Sequence, residues 1–254
     1  MKRIWYFSLF IAVSLLVEKS ASHAAILTVD INSDRPGINA PNPSATQSGF
    51  TGWDIDSSAG TKTTAISGHN ITISELGAAT FQTRDRQVVA DYASSPVGAL
   101  YRDALQADGG TNGSAGMQLD IDGLVANTQY SLTLWAHEAF GNGTSTDTLA
   151  INDLNTSLLL ASGTYPGSPQ VPSDLSTSRW DVVALTDNAG ILKISLIHSW
   201  AGGSPEVGAL ALNGFELSVV PEPNSVVLCV MAGAAGLCHF NRHRRHTQHG
   251  KSSR

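Results

Sequence analysis

Length, charge and cysteine content exclude several classes of protein. The 254 residues carry a formal net charge of −6 at pH 7, and residues 25–218 alone hold seven Lys and Arg against nineteen Asp and Glu, a charge of −12. Such a domain repels phosphate backbones, which excludes nucleic acid as a partner. Both cysteines, Cys229 and Cys238, follow residue 218, so residues 25–218 contain neither a disulfide nor a cysteine nucleophile.

The N-terminal residues predict an export signal. Lys2 and Arg3 precede an apolar run from Ile4 to Val17, and Ser22 and Ala24 are small residues before a cleavage point. This order is typical of a secretory signal peptide. An uncleaved anchor is the alternative, but fourteen helical residues span about 21 Å and the hydrocarbon core is roughly 30 Å thick. We expect residues 1–24 to be removed after export through the Sec machinery.

Residues 25–218 predict one all-β domain, a single β-sandwich. Short apolar runs, several of them alternating with period two, are separated by clusters of Gly, Asn, Asp and Pro, which is the pattern of strands and turns. Ala99–Ala107 also has apolar residues at helical spacing, so it stays open between helix and strand. The predicted strands are Ile26–Ile31, Asn70–Leu76, Gln129–His137, Trp180–Thr186, Ile191–Trp200 and Val207–Ser218.

The sequence "GLVANTQY" predicts a corner between two strands. Gly123 ends one strand, and Leu124 is expected to cover the end of the core. Asn127 and Thr128 then turn the chain into the next strand. This pattern resembles the corner that joins crossing strands in many extracellular sandwiches. It predicts that the chain passes from one sheet to the other here.

Several stretches resemble known extracellular domains. "LNGFELS" from Leu212 to Ser218 resembles the closing strand of galactose-binding-like and malectin-like jelly rolls. Arg84–Arg86, Leu100–Asp103 and Tyr130–Glu138 together are similar to an ectodomain that recurs in planctomycete-type exported proteins. The resemblance implies a jelly-roll sandwich and implies no particular activity.

Three tryptophans predict a carbohydrate-binding surface. Sugar rings stack on exposed aromatic side chains, while polar side chains bind the hydroxyls. Trp135 lies opposite the apolar face of its strand and Trp200 lies at a strand end, so both are candidate stacking platforms together with Trp53. Packing of each tryptophan in the core is the alternative. The candidate polar contacts are Arg84, Asp85, Arg86 and Glu138.

Two metal sites are conceivable from the donors present. Asp108 and Asn112 in "DGGTNG" supply oxygen ligands that suit a structural calcium ion, although the same residues simply favour a tight turn. His137, Glu138 and His198 each follow a core strand, and their convergence would give a ligand set for zinc or non-haem iron. The alternative is that these three are polar residues at the rim. No other cofactor is predicted.

The sequence contains no convincing catalytic motif. "GGSPEVG" from Gly202 to Gly208 departs from a nucleophile elbow because Glu206 stands two residues after Ser204. "HEAFG" lacks the second histidine of a zinc-protease motif, and no pair of carboxylates is singled out for glycoside hydrolysis. We therefore expect a non-catalytic protein, with a secreted hydrolase or lyase acting on polysaccharide as the alternative.

Ala161–Ser178 predicts a long loop, because it contains three prolines and no strand pattern. Loops of this length in a compact domain are often functional. With Tyr165 near its centre the segment is expected either to cap a ligand-binding face or to be a variable insertion.

Residues 219–254 predict a sorting signal. Pro221, Glu222 and Pro223 precede an apolar run from Val226 to Phe240. Fifteen helical residues span about 22 Å, short for a membrane, and basic residues after an apolar run stay on the cytoplasmic side. These basic residues include Arg242, Arg244 and Arg245.

The order of the three parts resembles the PEP-CTERM sorting signal. The resemblance implies transient inner-membrane association, processing by an exosortase, and a final place at the cell surface or in the extracellular matrix. The expected organisation is therefore a signal peptide (1–24), a β-sandwich (25–218) and a sorting segment (219–254), in a protein that is a candidate for polysaccharide binding.

Overall fold

The computed structural model describes residues 25–33, 46–56, 60–77, 79–85, 95–109, 113–138, 147–165, 170–200 and 209–220. The expected signal peptide, the residues from Pro221 onward, Arg86 and Asn112 lie outside these ranges. Residues 24–219 form one compact unit. Within the described residues, no helix combines the length and the apolar composition that crossing a membrane requires.

The described residues form fourteen strands and one short helix. They are β1 (Ala25–Ser33), β2 (Thr51–Ile55), β3 (Lys62–Ile66), β4 (His69–Leu76), β5 (Thr80–Asp85), α1 (Gly98–Arg102), β6 (Asp103–Asp108), β7 (Ser114–Ile121), β8 (Gln129–Trp135), β9 (Thr148–Asp153), β10 (Leu158–Thr164), β11 (Arg179–Leu185), β12 (Leu192–Ser199), β13 (Leu210–Leu212) and β14 (Gly214–Val219).

The strands form three sheets. A five-stranded sheet has the order β11-β8-β14-β1-β2, a six-stranded sheet the order β10-β9-β12-β7-β4-β3, and a three-stranded sheet the order β13-β6-β5. Neighbours pair antiparallel, except that β1 and β2 are parallel. The predicted all-β sandwich is confirmed, because inward side chains of both large sheets share one core. That core includes Val29, Ile31, Ile71, Ile73, Leu119, Ile121, Leu132, Leu134, Ile194 and Leu196.

The predicted strands are confirmed to within two residues at most ends, and the segment left open contains both elements. Residues 98–102 are helical and the chain then becomes β6. The last predicted strand is interrupted at Asn213, which separates β13 from β14. The prediction that Ala161–Ser178 has no strand is wrong for its first four residues, which belong to β10. This strand lies at a sheet edge with both faces partly exposed, so it lacks the apolar alternation of a half-buried strand.

Asn213 joins four parts of the sandwich at the break between β13 and β14. Its N–H donates to the carbonyl of Trp135 (2.9 Å), and its carbonyl accepts from the N–H of Ile31 (2.8 Å). The side-chain oxygen accepts from the N–H of His137 (2.8 Å), and Nδ2 donates to the carbonyl of Asp103 (2.8 Å). The asparagine is fully buried, so these bonds satisfy groups that would be costly to leave unpaired.

The predicted corner is confirmed. Gly123 (φ 82°) and Asn127 (φ 52°) adopt left-handed backbone angles, which glycine and asparagine tolerate best. The hydroxyl of Tyr130 accepts from the N–H of Val125 (3.0 Å) and fixes the corner. Leu124 packs against the core. The chain thereby passes from β7 in the six-stranded sheet to β8 in the five-stranded sheet.

Candidate functional site

The three tryptophans predicted to be stacking platforms are buried, so that prediction is wrong. Trp53 is 6%, Trp135 2% and Trp200 7% exposed. Trp135 does face away from the core as expected, but a small second apolar cluster covers it. Its Nε1 donates to the carbonyl of Leu175 (2.8 Å), and the ring of Phe50 meets it edge-on at 5.3 Å. Among the described residues no aromatic side chain is fully exposed.

Two of the predicted polar contacts, Arg84 and Glu138, are connected through a third residue. Nε of Arg84 donates to Oε1 of Gln106 (2.7 Å), and Nε2 of Gln106 donates to Oε2 of Glu138. Arg84 lies on β5, Gln106 on β6, and Glu138 follows β8 closely. We call Arg84, Gln106 and Glu138 the polar relay.

The polar relay leads from the interior to the surface. Glu138 and Gln106 are 0% and 2% exposed, whereas Arg84 is half-buried. Beside Arg84, on the same face of the three-stranded sheet, Gln82 and Asp108 are half-buried too, and Nε2 of Gln82 donates to Oδ2 of Asp108 (3.5 Å).

The same face becomes open toward the start of β5, where Thr80 is exposed. Thr80 pairs with Asp108, and Gln82 pairs with Gln106, so the side chains of these four residues lie on the same face of the sheet. We call Thr80, Gln82, Arg84 and Asp108 the polar surface. It offers amide, hydroxyl, carboxylate and guanidinium groups within one short stretch of sheet.

The predicted calcium ligand Asp108 is part of this surface, and the second ligand, Asn112, lies outside the described residues. The calcium site therefore stays a prediction. Across the described ranges, no group of three His, Cys, Asp or Glu side chains is arranged to hold a metal ion.

The prediction that His137, Glu138 and His198 converge on a metal is wrong. Neighbouring residues of an extended chain point to opposite sides, so the His137 ring packs against Tyr101 (5.6 Å between ring centres) while Glu138 points to Gln106. His198 is paired elsewhere in the core.

Asp147 and His198 form a second group of buried polar side chains, which we call the sealed pair. Nε2 of His198 lies 3.1 Å from Oδ2 of Asp147, and the two residues are 0% and 1% exposed. The rings of Tyr165 and Trp200 cover the imidazole at 4.8 and 5.1 Å. Burial lowers the pKa of His198, and the bond to Asp147 only partly opposes that effect.

Tyr165 has a structural role, which replaces the predicted ligand-capping role. It is fully buried, and its hydroxyl accepts from the N–H of Ala211 (2.8 Å) and donates to the carbonyl of the same residue (3.4 Å). Ala211 lies on β13, an edge strand of the three-stranded sheet, and pairs with Gln106 of the polar relay. One hydroxyl thus satisfies an otherwise open sheet edge.

A third buried polar group lies on the outward face of β1. Asp30 is fully buried, and its Oδ2 accepts from the N–H of Gln47 (2.6 Å). Desolvation raises the pKa of Asp30 to about 7, and the bond from Gln47 lowers it by less.

His137 also contacts a serine with an unusual backbone. Nδ1 of His137 lies 3.0 Å from Oγ of Ser178, which has φ 54°. Non-glycine residues with left-handed angles are uncommon and mark turns or functional sites. Here the carbonyl of Ser178 accepts from the N–H of Ala136 (3.0 Å), so the residue ends the turn before β11.

Sequence reasoning missed Gln106, Asp147 and Asn213. Gln106 lies in the segment whose secondary structure was ambiguous. Only when this segment is a strand does Gln106 point to the other face of the sheet from Leu105 and pair with Gln82. Asp147 looks like an ordinary loop residue in the sequence, and Asn213 looks like one position of a continuous strand. Their burial depends on strands that are distant along the chain, for which the local sequence has no signal.

No protein-family model matches the chain, and no curated protein matches it. Solved structures with a similar arrangement include a family 35 carbohydrate binding module from Clostridium thermocellum, 12% identical with a TM-score of 0.32, where the match covers 64% of this chain and 100% of that one. The CBM22-1-CBM22-2 tandem domain of Xyn10C from Paenibacillus barcinonensis is 11% identical, with a TM-score of 0.37 and coverages of 59% and 42%.

The enzymatically active domain of tailspike protein 4 from bacteriophage CBA120 is also similar. It is 15% identical with a TM-score of 0.31, and the match covers 60% of this chain but 19% of that one. This chain therefore spans about a fifth of the tailspike chain. At such identities and TM-scores, none of these similarities assigns an activity to the chain.

Proposed function

We propose that the chain is an exported, non-catalytic protein whose sandwich binds a polysaccharide at the polar surface. The observation that carries the proposal is the polar relay, which holds Arg84 on the same partly exposed face of the three-stranded sheet as Gln82 and Asp108. Binding sites use a few well-placed polar groups to fix a ligand's orientation. Hydroxyl-rich ligands match the mixture of donors and acceptors present here.

The relay gives this surface a preset geometry. Because Nε of Arg84 is held by Gln106, the plane of the guanidinium is fixed, and with it the direction of its other N–H groups. Gln106 is fixed in turn by the buried carboxylate of Glu138. Groups that are already oriented lose less conformational entropy when a ligand binds.

The charge of the domain narrows the class of ligand. A unit with a charge of −12 repels polyanions over distances of about a Debye length, roughly 8 Å at physiological salt. We therefore expect a neutral polysaccharide. The described residues offer no exposed aromatic ring for stacking, so recognition rests on hydrogen bonds.

The decisive experiment compares two arginine variants of the full chain on a panel of neutral polysaccharides by titration calorimetry. Arg84→Ala should weaken binding at least tenfold, because a charge-assisted contact is lost. Arg179→Ala is the matched control, since Nη2 of Arg179 pairs with Asp181 (2.8 Å) on β11 of another sheet. Equal affinity for both variants, or no binding by the unmodified chain, contradicts the proposal.

The two ends of the chain support the proposal about location. The signal-peptide pattern and the resemblance of residues 219–254 to a PEP-CTERM signal support export, transient membrane association, and processing by an exosortase. In a host with that enzyme, mass spectrometry of the surface fraction should detect a chain that lacks residues 1–24 and has been cut in the tail. Replacing Pro221 and Glu222 by alanine should leave the tail uncut. An intact tail in the unaltered chain contradicts this part.

The alternative, a secreted hydrolase, has one contact in its favour: the approach of Ser178 Oγ to His137 Nδ1 with a left-handed serine backbone. A serine activated by histidine reacts with a fluorophosphonate, whose phosphorus bonds to Oγ as fluoride leaves. Under the proposed function the full chain stays unlabelled. Labelling that disappears in Ser178→Ala but persists in Ser176→Ala would favour the hydrolase.

A further inference from the structure

The three sheets have six edge strands, and five of them are protected. Edge strands expose unpaired backbone N–H and C=O groups, and proteins block them with charges, prolines or covering side chains. Tyr165 caps β13 through Ala211. The charged residues on the other four protected edges are Asp54 on β2, Lys62 on β3, Arg84 on β5, and Arg179 with Asp181 on β11.

β10 is the exception. From Leu154 to Thr164 the sequence "LNTSLLLASGT" contains no Asp, Glu, Lys, Arg or Pro. Leu158 and Leu159 are each 59% exposed. The ring of Trp180 packs against Gly163, while Ser162 and Thr164 on either side of that glycine are exposed, as are the two leucines at the start of the strand. β10 pairs only with β9 among the described strands, which leaves its other edge unpaired, and its register with β9 shifts between Leu159 and Ala161. The regular stretches on either side of this shift remain able to accept another strand.

We propose that β10 pairs antiparallel with β10 of a second copy of this chain. Such pairing would join the two six-stranded sheets into one continuous sheet and cover the exposed leucines of both copies. It is a two-fold arrangement in which the same surface serves both partners, as in most homodimers. The inference does not depend on the proposed polysaccharide binding.

Charge favours a second copy at this edge over the others. Two units of −12 repel each other, and the repulsion falls where the contact itself carries no charge. At β2, pairing of identical copies would bring the exposed Asp54 carboxylates of the two copies toward each other. The nearest acid to β10, Asp153, is buried, and its oxygens accept N–H groups of Asn155, Thr156 and Leu185.

The chemistry of β10 also indicates which kind of partner binds its free edge. A polysaccharide needs polar side chains to bind its hydroxyls, and Leu158 and Leu159 supply none. A strand of the same kind satisfies the backbone groups and covers the leucines together, which is strand addition at a sheet edge.

The test is sedimentation velocity of the full chain in a mild detergent over a series of concentrations. The unmodified chain should form a reversible dimer. Leu159→Lys places a charge on the edge and should weaken the dimer at least tenfold, and Ser162→Lys, at another exposed position of β10, should do the same. Val125→Lys is the matched control, because Val125 is 66% exposed at the corner before β8 and should leave the dimer unchanged.

Three results would overturn the inference. The unmodified chain could be monomeric throughout the series, both β10 variants could dimerise as strongly as the unmodified chain, or Val125→Lys could weaken the dimer as much as they do. A circular-dichroism spectrum identical to that of the unmodified chain confirms that each variant is folded, and having two β10 variants keeps the test decisive if one of them misfolds.

Discussion

The polar relay and the sealed pair are two groups of buried polar side chains beside β13, and they differ in their connection to the surface. In the relay, hydrogen bonds lead from buried Glu138 through Gln106 to half-buried Arg84. In the sealed pair, His198 and Asp147 bond to each other under two aromatic rings. β13 links the surroundings of both, because Ala211 pairs with Gln106 and bonds to Tyr165, whose ring covers His198.

The difference shows that burial of polar groups does not by itself identify a binding site. A buried bonded pair fixes the local structure, and removal of one partner takes a hydrogen bond away from the other in a medium of low dielectric constant. A chain of bonds that ends at a half-buried side chain can also act on a ligand. The relay is therefore expected to influence binding, and the sealed pair is expected to influence stability.

Replacing His198 by alanine tests this comparison most strongly. The change removes a neutral imidazole that bonds to Oδ2 of Asp147, and removal of one partner of a buried hydrogen bond costs about 1–3 kcal/mol, and more where the remaining group is charged. Urea unfolding should therefore show a large loss of stability, while polysaccharide affinity of the folded protein should be unchanged. His69→Ala, at a half-buried histidine near the carbonyl of Asp122, should cost about 1 kcal/mol or less.

The pH dependence of that loss follows from the lowered pKa of His198. The folded state holds the imidazole neutral, so the contribution of His198 is complete above the unfolded pKa of 6.5 and is lost as the pH falls below it. The difference in the free energy of unfolding between the unmodified chain and His198→Ala should become smaller as the pH falls below 6.5. A difference that grows as the pH falls would contradict this assignment.

Asp30 sharpens the comparison, because it is buried and no described Lys, Arg or His forms an ion pair with it. Its pKa rises from 3.8 to about 7 in the folded state. The stability it contributes is complete below pH 3.8 and is lost as the pH rises toward 7, at about 1.4 kcal/mol per pH unit. Asp30→Asn should remove this slope and raise the free energy of unfolding at pH 7.

Unfolding by urea at several pH values measures the Asp30 effect. The control is Asp54→Asn, at an exposed carboxylate on β2. If the free energy of unfolding depends on pH in the same way in Asp30→Asn and Asp54→Asn, the burial of Asp30 does not cause the predicted slope.

The smallest expected effect on stability is that of Glu138→Gln. The amide oxygen still accepts from Gln106, so stability should change by about 1 kcal/mol or less. Loss of the negative charge loosens the orientation of Gln106 and Arg84, and polysaccharide affinity should fall severalfold, less than in Arg84→Ala. Titration calorimetry with the polysaccharide measures this change in affinity.

Glu216→Gln is the control for that variant, because Glu216 is a half-buried glutamate on β14 of the five-stranded sheet, whereas the polar surface lies on the three-stranded sheet. An unchanged affinity in Glu138→Gln would show that the relay does not orient Arg84.

Much of the fold was predictable because its causes are local. Alternation of apolar residues identified β4, β8, β11 and β12, and turn residues such as Gly123 and Asn127 marked the corner. The end of β10 was not predicted, because an edge strand with both faces partly exposed shows little alternation of apolar and polar residues. Asn213 was read as part of one continuous strand, because its four bonds involve chain segments that are distant in the sequence.

The candidate site was predicted only in part. Arg84 and Glu138 were both named as candidate polar contacts, but the sequence did not identify Gln106, which connects them. The tryptophans were misjudged because alternation reports the face of a strand and not what covers that face. Trp135 does lie on the outward face, where α1 and the segment around Leu175 bury it.

The sequence alone determined the all-β class, the positions of most strands and the charge of the domain, since each depends on residue type and short-range period. Only the tertiary structure decided which polar groups are buried, which of them are paired, and which sheet edges are protected. These properties depend on the packing of strands that are far apart in the chain, where burial removes water and makes each hydrogen bond and each missing partner matter.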